Sequence, residues 1–157
     1  MPRTTTTPTT SGAGGGAKGG AEAFTAEEKA AMNERAREVK AARNGANGDP
    51  ERELLAKIAE LPEPDRSLAT RIHEFVGEHA PSFAPRTWYG MPAWGRDGKA
   101  TVFFQPAAKF KARYSTLGFN DDAPIDDGPM WPTAYALTTL GPAEEARIVE
   151  LVRRAAG

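Results

Sequence analysis

The chain of 157 residues contains no cysteine. This absence excludes disulfide bonds, thiolate zinc sites, cysteine-ligated iron–sulfur clusters and a cysteine nucleophile, and it is compatible with a reducing compartment. The chain also lacks an excess of either charge, since 20 Lys and Arg oppose 21 Asp and Glu. Without a positive field, sequence-independent binding to nucleic acid loses its main driving force, so we expect no nucleic-acid partner.

Long hydrophobic runs are missing as well. The longest strongly apolar run is Val102-Phe103-Phe104, whereas a membrane-spanning helix needs about 20 apolar residues. Residues 1–8 contain no apolar stretch of the kind that a secretory signal requires, so we expect a cytoplasmic protein with no membrane partner. Residues 1–24 consist mostly of Thr, Gly, Ala and Pro, a composition that predicts a disordered tail.

Capping signals and apolar periodicity predict helices at both ends of the remaining chain. Thr25 and Glu28 form a capping-box signature that opens a helix within residues 25–45. The apolar stripe of this helix is thin and mostly alanine, which predicts loose docking. Proline at or near the first position marks the starts of three more helices, at Pro50, Pro64 and Pro142.

The stretch from Phe83 to Tyr135 holds 11 of the 13 aromatic residues and has a period of two, which predicts strands. Asp97-Gly98 suits a two-residue hairpin turn between strands near residues 91–95 and 99–105. Residues 109–114 alternate basic with apolar side chains, as in a strand with one solvated face. The predicted class is therefore α+β, with an antiparallel sheet of about five strands in a domain over residues 50–157.

The most informative stretch runs from Arg86 to Trp94. Gly90 permits a positive φ, and Pro92 restricts its strand to a sheet edge or a bulge. Large side chains around such a bend either fill the core or line an apolar ligand pocket. The side chains in question are those of Trp88, Tyr89, Met91, Trp94 and Trp131.

Basic residues suggest an anchor for such a ligand. Lys109, Lys111 and Arg113 share one face of the predicted strand. They either form a solvated sheet face or bind an anion, a phosphate or RNA. Three further basic residues lie nearby in the sequence, namely Arg86, Arg96 and Lys99.

Acidic residues suggest a metal site in a different segment. Four carboxylates lie within the loop 120–128 and offer the oxygen ligands that hard cations such as iron prefer. The same segment is also typical of a turn, since it contains Asp-Asp-Gly and does not match the EF-hand spacing. The four residues are Asp121, Asp122, Asp126 and Asp127.

Motifs for catalysis are missing from the sequence. Gly14, Gly16 and Gly19 match the spacing of a dinucleotide-binding loop, but no strand precedes them. His73 and His79 lie six positions apart on a predicted helix, too far around it to share a metal ion, and we expect His73 to be solvated. The sequence therefore predicts a protein that binds or carries a ligand, with neither a nucleophile–base pair nor a cofactor motif.

Several motifs in this region are similar to those of the YdhG-like family, a domain of unknown function. The family includes frataxin-like intracellular iron chaperones, and the resemblance covers about residues 50–156, closest to an actinobacterial-type branch. The matching residues are Trp88-Tyr89-Gly90-Met91-Pro92, Phe103-Phe104, Lys109-Phe110-Lys111, Tyr114, Gly118-Phe119, Trp131-Pro132 and Tyr135.

The resemblance implies a compact α+β fold, with a curved antiparallel sheet and helices packed on one side. It also implies a non-enzymatic carrier of iron, held weakly by surface carboxylates and then released to an acceptor. We expect the loop Asp121–Asp127 to supply those carboxylates, and we expect a monomer or a weak homodimer. The second hypothesis is a small-molecule or anion-binding module with an aromatic wall and a basic anchor.

Overall fold

The computed structural model of this protein describes residues 24–43 and 48–157. The predicted disordered tail falls on residues 1–24, which, except for Phe24, lie outside the described residues. The described elements are α1 (Ala26–Arg43), α2 (Pro50–Ala59), α3 (Asp65–His79), β1 (Ala84–Trp88), β2 (Met91–Gly95), β3 (Val102–Gln105), α4 (Ala107–Phe110), β4 (Ser115–Phe119), β5 (Ala134–Leu137) and α5 (Pro142–Ala156).

The predicted helix starts are confirmed. At α1, the Thr25 hydroxyl accepts a hydrogen bond from the Glu28 N–H at 3.1 Å. At α2, the Asp49 carboxylate accepts from the Glu51 N–H at 3.1 Å. In each case a side-chain oxygen satisfies an N–H that has no partner within the helix, so the local sequence alone sets where the helix begins.

The five strands form one open sheet in the order β1-β2-β3-β4-β5. Each neighbouring pair is antiparallel and joins strands that are consecutive in the chain. Helices at both ends of the chain flank this sheet, so the predicted α+β class is confirmed. The predicted hairpin turn is also present, because Asp97 and Gly98 have φ values of 54° and 73° and the Lys99 N–H donates to the Arg96 carbonyl.

One face of the sheet packs against α2, α3 and α5 to form the core. Trp94 of β2 is paired with Val102 of β3, which is paired with Phe119 of β4, so these three side chains share a face. All three are buried within one apolar cluster. The helices contribute to that cluster through Leu54, Ile58, Leu68, Ala69, Ile72, Phe75, Val76, Ile148, Leu151, Val152 and Ala155.

One strand prediction was wrong, and one of the two alternatives for the strand of Pro92 was excluded. Residues 109–114 are not a strand, because Lys109 and Phe110 end the short helix α4 and Lys111 caps it with a left-handed backbone, φ 52°. Pro92 does not lie on an edge strand, because β2 is paired on both sides. Pairing with β3 nevertheless stops at Ala93, one residue after the proline, which has no N–H to continue the ladder.

Within residues 24–43 and 48–157, every helix is too short or too polar to cross a lipid bilayer.

Candidate anion-binding site

The turn between β1 and β2 is tight and presents two backbone donors. Trp88 pairs with Met91, which leaves Tyr89 and Gly90 as the two turn residues. Both have positive φ values, 52° and 72°. Such a turn is typical of a type I′ hairpin, whose second position favours glycine. The N–H groups of both residues donate to the carboxylate of Glu38 in α1, at 3.2 Å from Tyr89 and 3.1 Å from Gly90.

Helix α1 lies beside β1 and is held to the domain mainly by glutamates. Glu34 forms ion pairs with Lys109 at 2.7 Å and with Lys57 at 3.4 Å. Glu27 pairs with Lys111 at 2.7 Å. Among the described side chains of α1, only Ala31 is buried, at 4% exposure. The described contacts of α1 with the domain are therefore largely polar, and the loose docking of this helix stays a prediction.

The ionisation of Glu34 couples this docking to pH. Burial tends to raise the pKa of Glu34, but the hydrogen bond and charge of Lys109, with the charge of Lys57, lower it below its usual value of 4.5. A lowered pKa in the docked state means that the ion pairs contribute fully above pH 4.5 and lose their contribution as the pH falls further. Acid and salt should therefore both release α1.

We expect this release to be measurable by double electron–electron resonance, which gives the distribution of distances between two spin labels. The chain has no cysteine, so spin labels attached to Ala30→Cys and Asp127→Cys report only the distance between α1 and the domain. The distance distribution should be narrow at pH 7 and low salt, and it should broaden at pH 3.5 or in 1 M salt, where the Debye length is about 3 Å. A distribution that stays narrow under both conditions would show that apolar contacts hold α1.

A cavity of about 340 Å³ runs along the outer side of β1. Glu38 and Ala41 of α1 line it, as do Pro50 and Glu53 of α2. Its size falls at the lower end of the range for small-molecule sites. The positive residues on its wall are Arg86 of β1 and Lys99 of the following hairpin.

Arg86 is the unusual group in this cavity. Its Nε atom is buried and has no hydrogen-bond partner in the described part of the chain. Burial, and then the positive charge of Arg35, lower the pKa of the Arg86 guanidinium below its ordinary value, whereas the charge of Glu38 raises it. A partly buried guanidinium whose donors are not all satisfied favours the approach of an anion.

The predicted aromatic wall is divided between the two faces of the sheet. Trp94 is 1% exposed and belongs to the core. Trp88 and Met91 pair with each other and lie on the opposite face, where Trp88 contacts Phe103 at a ring distance of 5.1 Å. Because side chains alternate along a strand, Trp94 and Trp88 cannot line one pocket.

The other two aromatic residues of the predicted pocket lie apart. Tyr89 lies in the β1–β2 turn, where its ring contacts Trp88 edge-on at 4.8 Å and lies under Arg35. Trp131 packs partly buried against the core. The sequence did not decide whether these aromatic residues fill the core or line a pocket. In the structure, Trp94 belongs to the core and Trp131 packs against it.

The predicted basic face is also divided, because it depended on the strand that does not form. Lys109 and Lys111 are paired with glutamates of α1. Arg113 lies over the ring of Tyr114 and lines a separate cavity of about 220 Å³. These three residues therefore do not form one anion anchor, whereas Arg86 and Lys99, noted only as sequence neighbours, do line a common cavity.

The four predicted metal ligands are all exposed. One of them, Asp122, accepts a hydrogen bond from the Thr101 hydroxyl at 2.7 Å. Among residues 24–43 and 48–157, no three Asp, Glu, His or Cys side chains lie close enough together to hold a metal ion. Iron binding by Asp121, Asp122, Asp126 and Asp127 stays a prediction.

Two polar contacts of the core were not predicted from the sequence. The expectation that His73 is solvated was wrong, since the Trp94 indole N–H donates to its Nδ1 at 3.1 Å and its Nε2 lies 3.2 Å from Glu51. Asp65, only 3% exposed, accepts from the Ala108 N–H and the Ser115 hydroxyl. Both partners are distant in sequence, so no local signal could have identified these contacts.

No family model, curated protein or solved structure matches this chain in the three comparisons made. The resemblance to the YdhG-like family therefore stays a prediction based on the quoted motifs.

Proposed function

We propose that this protein is a binding module for a small anion, which it holds in the cavity along β1 through the guanidinium of Arg86. The observation that carries this proposal is that Arg86, a half-buried guanidinium whose Nε has no hydrogen-bond partner in the described part of the chain, lines this cavity. No carboxylate of the described residues neutralises it in an ion pair, and an anion in the cavity can accept charge-assisted hydrogen bonds from its other nitrogens.

The cavity has the size and charge for a small ligand. A volume of about 340 Å³ suits a molecule of metabolite size. Arg86 and Lys99 supply positive charge, whereas Glu38 and Glu53 supply negative charge on the same wall. A ligand that carries a carboxylate or phosphate at one end is therefore favoured over a large polyanion.

Substitution of Arg86 tests the proposal. We expect Arg86→Gln to weaken binding of succinate or inorganic phosphate by about tenfold or more, since a hydrogen bond to a charged group contributes about 1.5–3 kcal/mol. Arg86→Lys should recover only part of the loss, because lysine keeps the charge without the planar fork. Isothermal titration calorimetry at low salt measures both changes.

Arg52→Gln is the matched control for this experiment. Arg52 is exposed on α2 and does not line the cavity. Its substitution by glutamine therefore removes the same charge from the protein without altering the cavity wall. Its affinity for the probes should equal that of the wild type. Equal weakening by Arg52→Gln and Arg86→Gln would show that only the net charge matters and would contradict a site at Arg86.

The iron hypothesis is independent of this cavity and has its own test. Anaerobic titration with Fe(II) compares the wild type with a variant in which all four loop aspartates are changed to asparagine. If the loop binds iron, the variant should lose affinity, and equal binding by both proteins would exclude the loop as the site.

A further inference from the structure

The carboxylate of Glu38 is bound to the domain in the manner of a ligand. Each of its two oxygens accepts a separate hydrogen bond, Oε2 from the Tyr89 N–H at 3.2 Å and Oε1 from the Gly90 N–H at 3.1 Å. Oε2 also accepts from Arg35 at 3.4 Å. Two neighbouring backbone donors that each hold one oxygen match the planar, two-oxygen geometry of a carboxylate.

The same carboxylate is linked to the Arg86 cavity. Glu38 lines the cavity together with Arg86. Its charge acts on the Arg86 guanidinium against the repulsion of Arg35, although the two side chains form no ion pair within 4 Å. If Glu38 left, the two N–H groups of the turn would lose their acceptor at the border of a cavity that also holds Arg86.

Helix α1 has the properties of an element that can leave. Its contacts with the domain are mostly ion pairs on partly exposed side chains, and such pairs each contribute little to stability. Only Ala31 is buried among its described side chains, whereas Met32 is 37% exposed and Phe24, which precedes the helix, is 55% exposed.

We propose that the Tyr89–Gly90 turn, beside the cavity that Glu38 and Arg86 both line, forms a carboxylate-binding site that Glu38 occupies within the same chain, so that an external carboxylate binds by displacing α1. This inference rests on the proposed function, because it assumes that Arg86 receives an anion, and it adds the ligand class and the regulation. The ligand is a small carboxylate, and helix α1 is its built-in competitor. The affinity that is measured is then the intrinsic affinity reduced by the fraction of molecules in which α1 is released.

Because the two equilibria are linked, the competition can be measured either as carboxylate affinity or as docking of α1. Whatever weakens the docking of Glu38 must strengthen the binding of an external carboxylate, and the bound carboxylate must in turn weaken the docking of α1 by the same factor. A simple cavity without a competitor has no such link, because its ligand would leave the position of α1 unchanged.

The test uses the full chain and two substitutions on α1. Glu38→Gln removes the competing charge, and Glu28→Gln is the control, since Glu28 lies on the same helix and its side chain is exposed. With succinate as the probe, we expect Glu38→Gln to bind at least tenfold more tightly than the wild type and Glu28→Gln to bind as the wild type does. Spin labels at positions 30 and 127 should show that succinate broadens the α1–domain distance in the wild type.

The outcomes separate this inference from the proposed function. If Glu38→Gln and the wild type bind succinate equally while Arg86→Gln loses binding, the competition is refuted and the anion site stands. If Glu38→Gln binds inorganic phosphate but not succinate, the carboxylate assignment is refuted. If neither the wild type nor Glu38→Gln binds succinate or phosphate, the proposed function itself fails.

Discussion

Replacement of Gly95 by alanine is expected to lower the free energy of unfolding by about 3 kcal/mol or more, at the upper end of the cost of overpacking a filled site. A Cβ atom at Gly95 would collide with the main-chain carbonyl oxygen of Lys99, and it would lie 2.9 Å from the Thr101 nitrogen. Both obstacles belong to the backbone of the β2–β3 connection and cannot rotate away. The connection would have to open, although its turn is fixed by the Lys99 N–H bond to Arg96.

Gly77→Ala is the matched control, because it makes the same chemical change with the opposite expected sign. Gly77 lies within α3, and apart from its chain neighbours and the adjacent helix backbone no atom would lie within 4 Å of its added Cβ. Alanine favours the helix over glycine by about 1 kcal/mol, so this variant should be more stable than the wild type. Urea unfolding followed by tryptophan fluorescence measures both effects. Similar unfolding midpoints for the two variants would contradict the clash at Gly95.

Replacement of Asp65 by alanine should be the second large effect, with a loss of about 3 kcal/mol, because buried donors would lose a charged acceptor. The Asp65 carboxylate accepts from the Ala108 N–H and from the Ser115 hydroxyl, both at 2.9 Å. The Ser115 hydroxyl in turn accepts from the Ala107 N–H at 3.0 Å. Asp65 and Ser115 thus cap the start of α4, a helix too short to be stable alone.

Asp121→Ala is the control for this prediction, since Asp121 is exposed and such substitutions usually change stability by less than about 0.5 kcal/mol. Asp65→Asn should cost less than Asp65→Ala, because one acceptor oxygen remains. Loss of the Asp65 carboxylate should also weaken the docking of α1, because α4 carries the Lys109 that pairs with Glu34. An Asp65→Ala protein as stable as Asp121→Ala would show that water satisfies the same donors.

The two functional proposals depend on different levels of structure. The Tyr89–Gly90 turn is a local feature, and its donors exist because two successive residues take a positive φ. The Arg86 cavity is a tertiary feature, since its walls come from α1, α2, β1 and the β2–β3 connection. A change within the turn should therefore affect the docking of Glu38 alone, whereas the cavity depends on the placement of both helices.

Short-range patterns in the sequence were sufficient for the helices and the turns. The Thr25 cap, the helix start at Pro50, the positive φ at Gly90 and the Asp97-Gly98 turn were all predicted, because each depends on residues within about four positions. The α+β class also followed from the change of period between residues 83 and 135. The strand at 109–114 was not formed, because alternation over six residues does not outweigh a buried Asp65 that caps a helix there.

The sequence by itself determined where the long helices begin, where the Asp97-Gly98 turn lies and that Gly90 can take a positive φ. The tertiary structure alone decided which charges meet. Lys109 and Lys111 became partners of α1, His73 became a partner of Trp94, and Arg86 was left at a cavity wall. The physical reason is that capping and turn geometry depend on neighbouring residues, whereas ion pairs and cavities depend on residues brought together from distant parts of the chain.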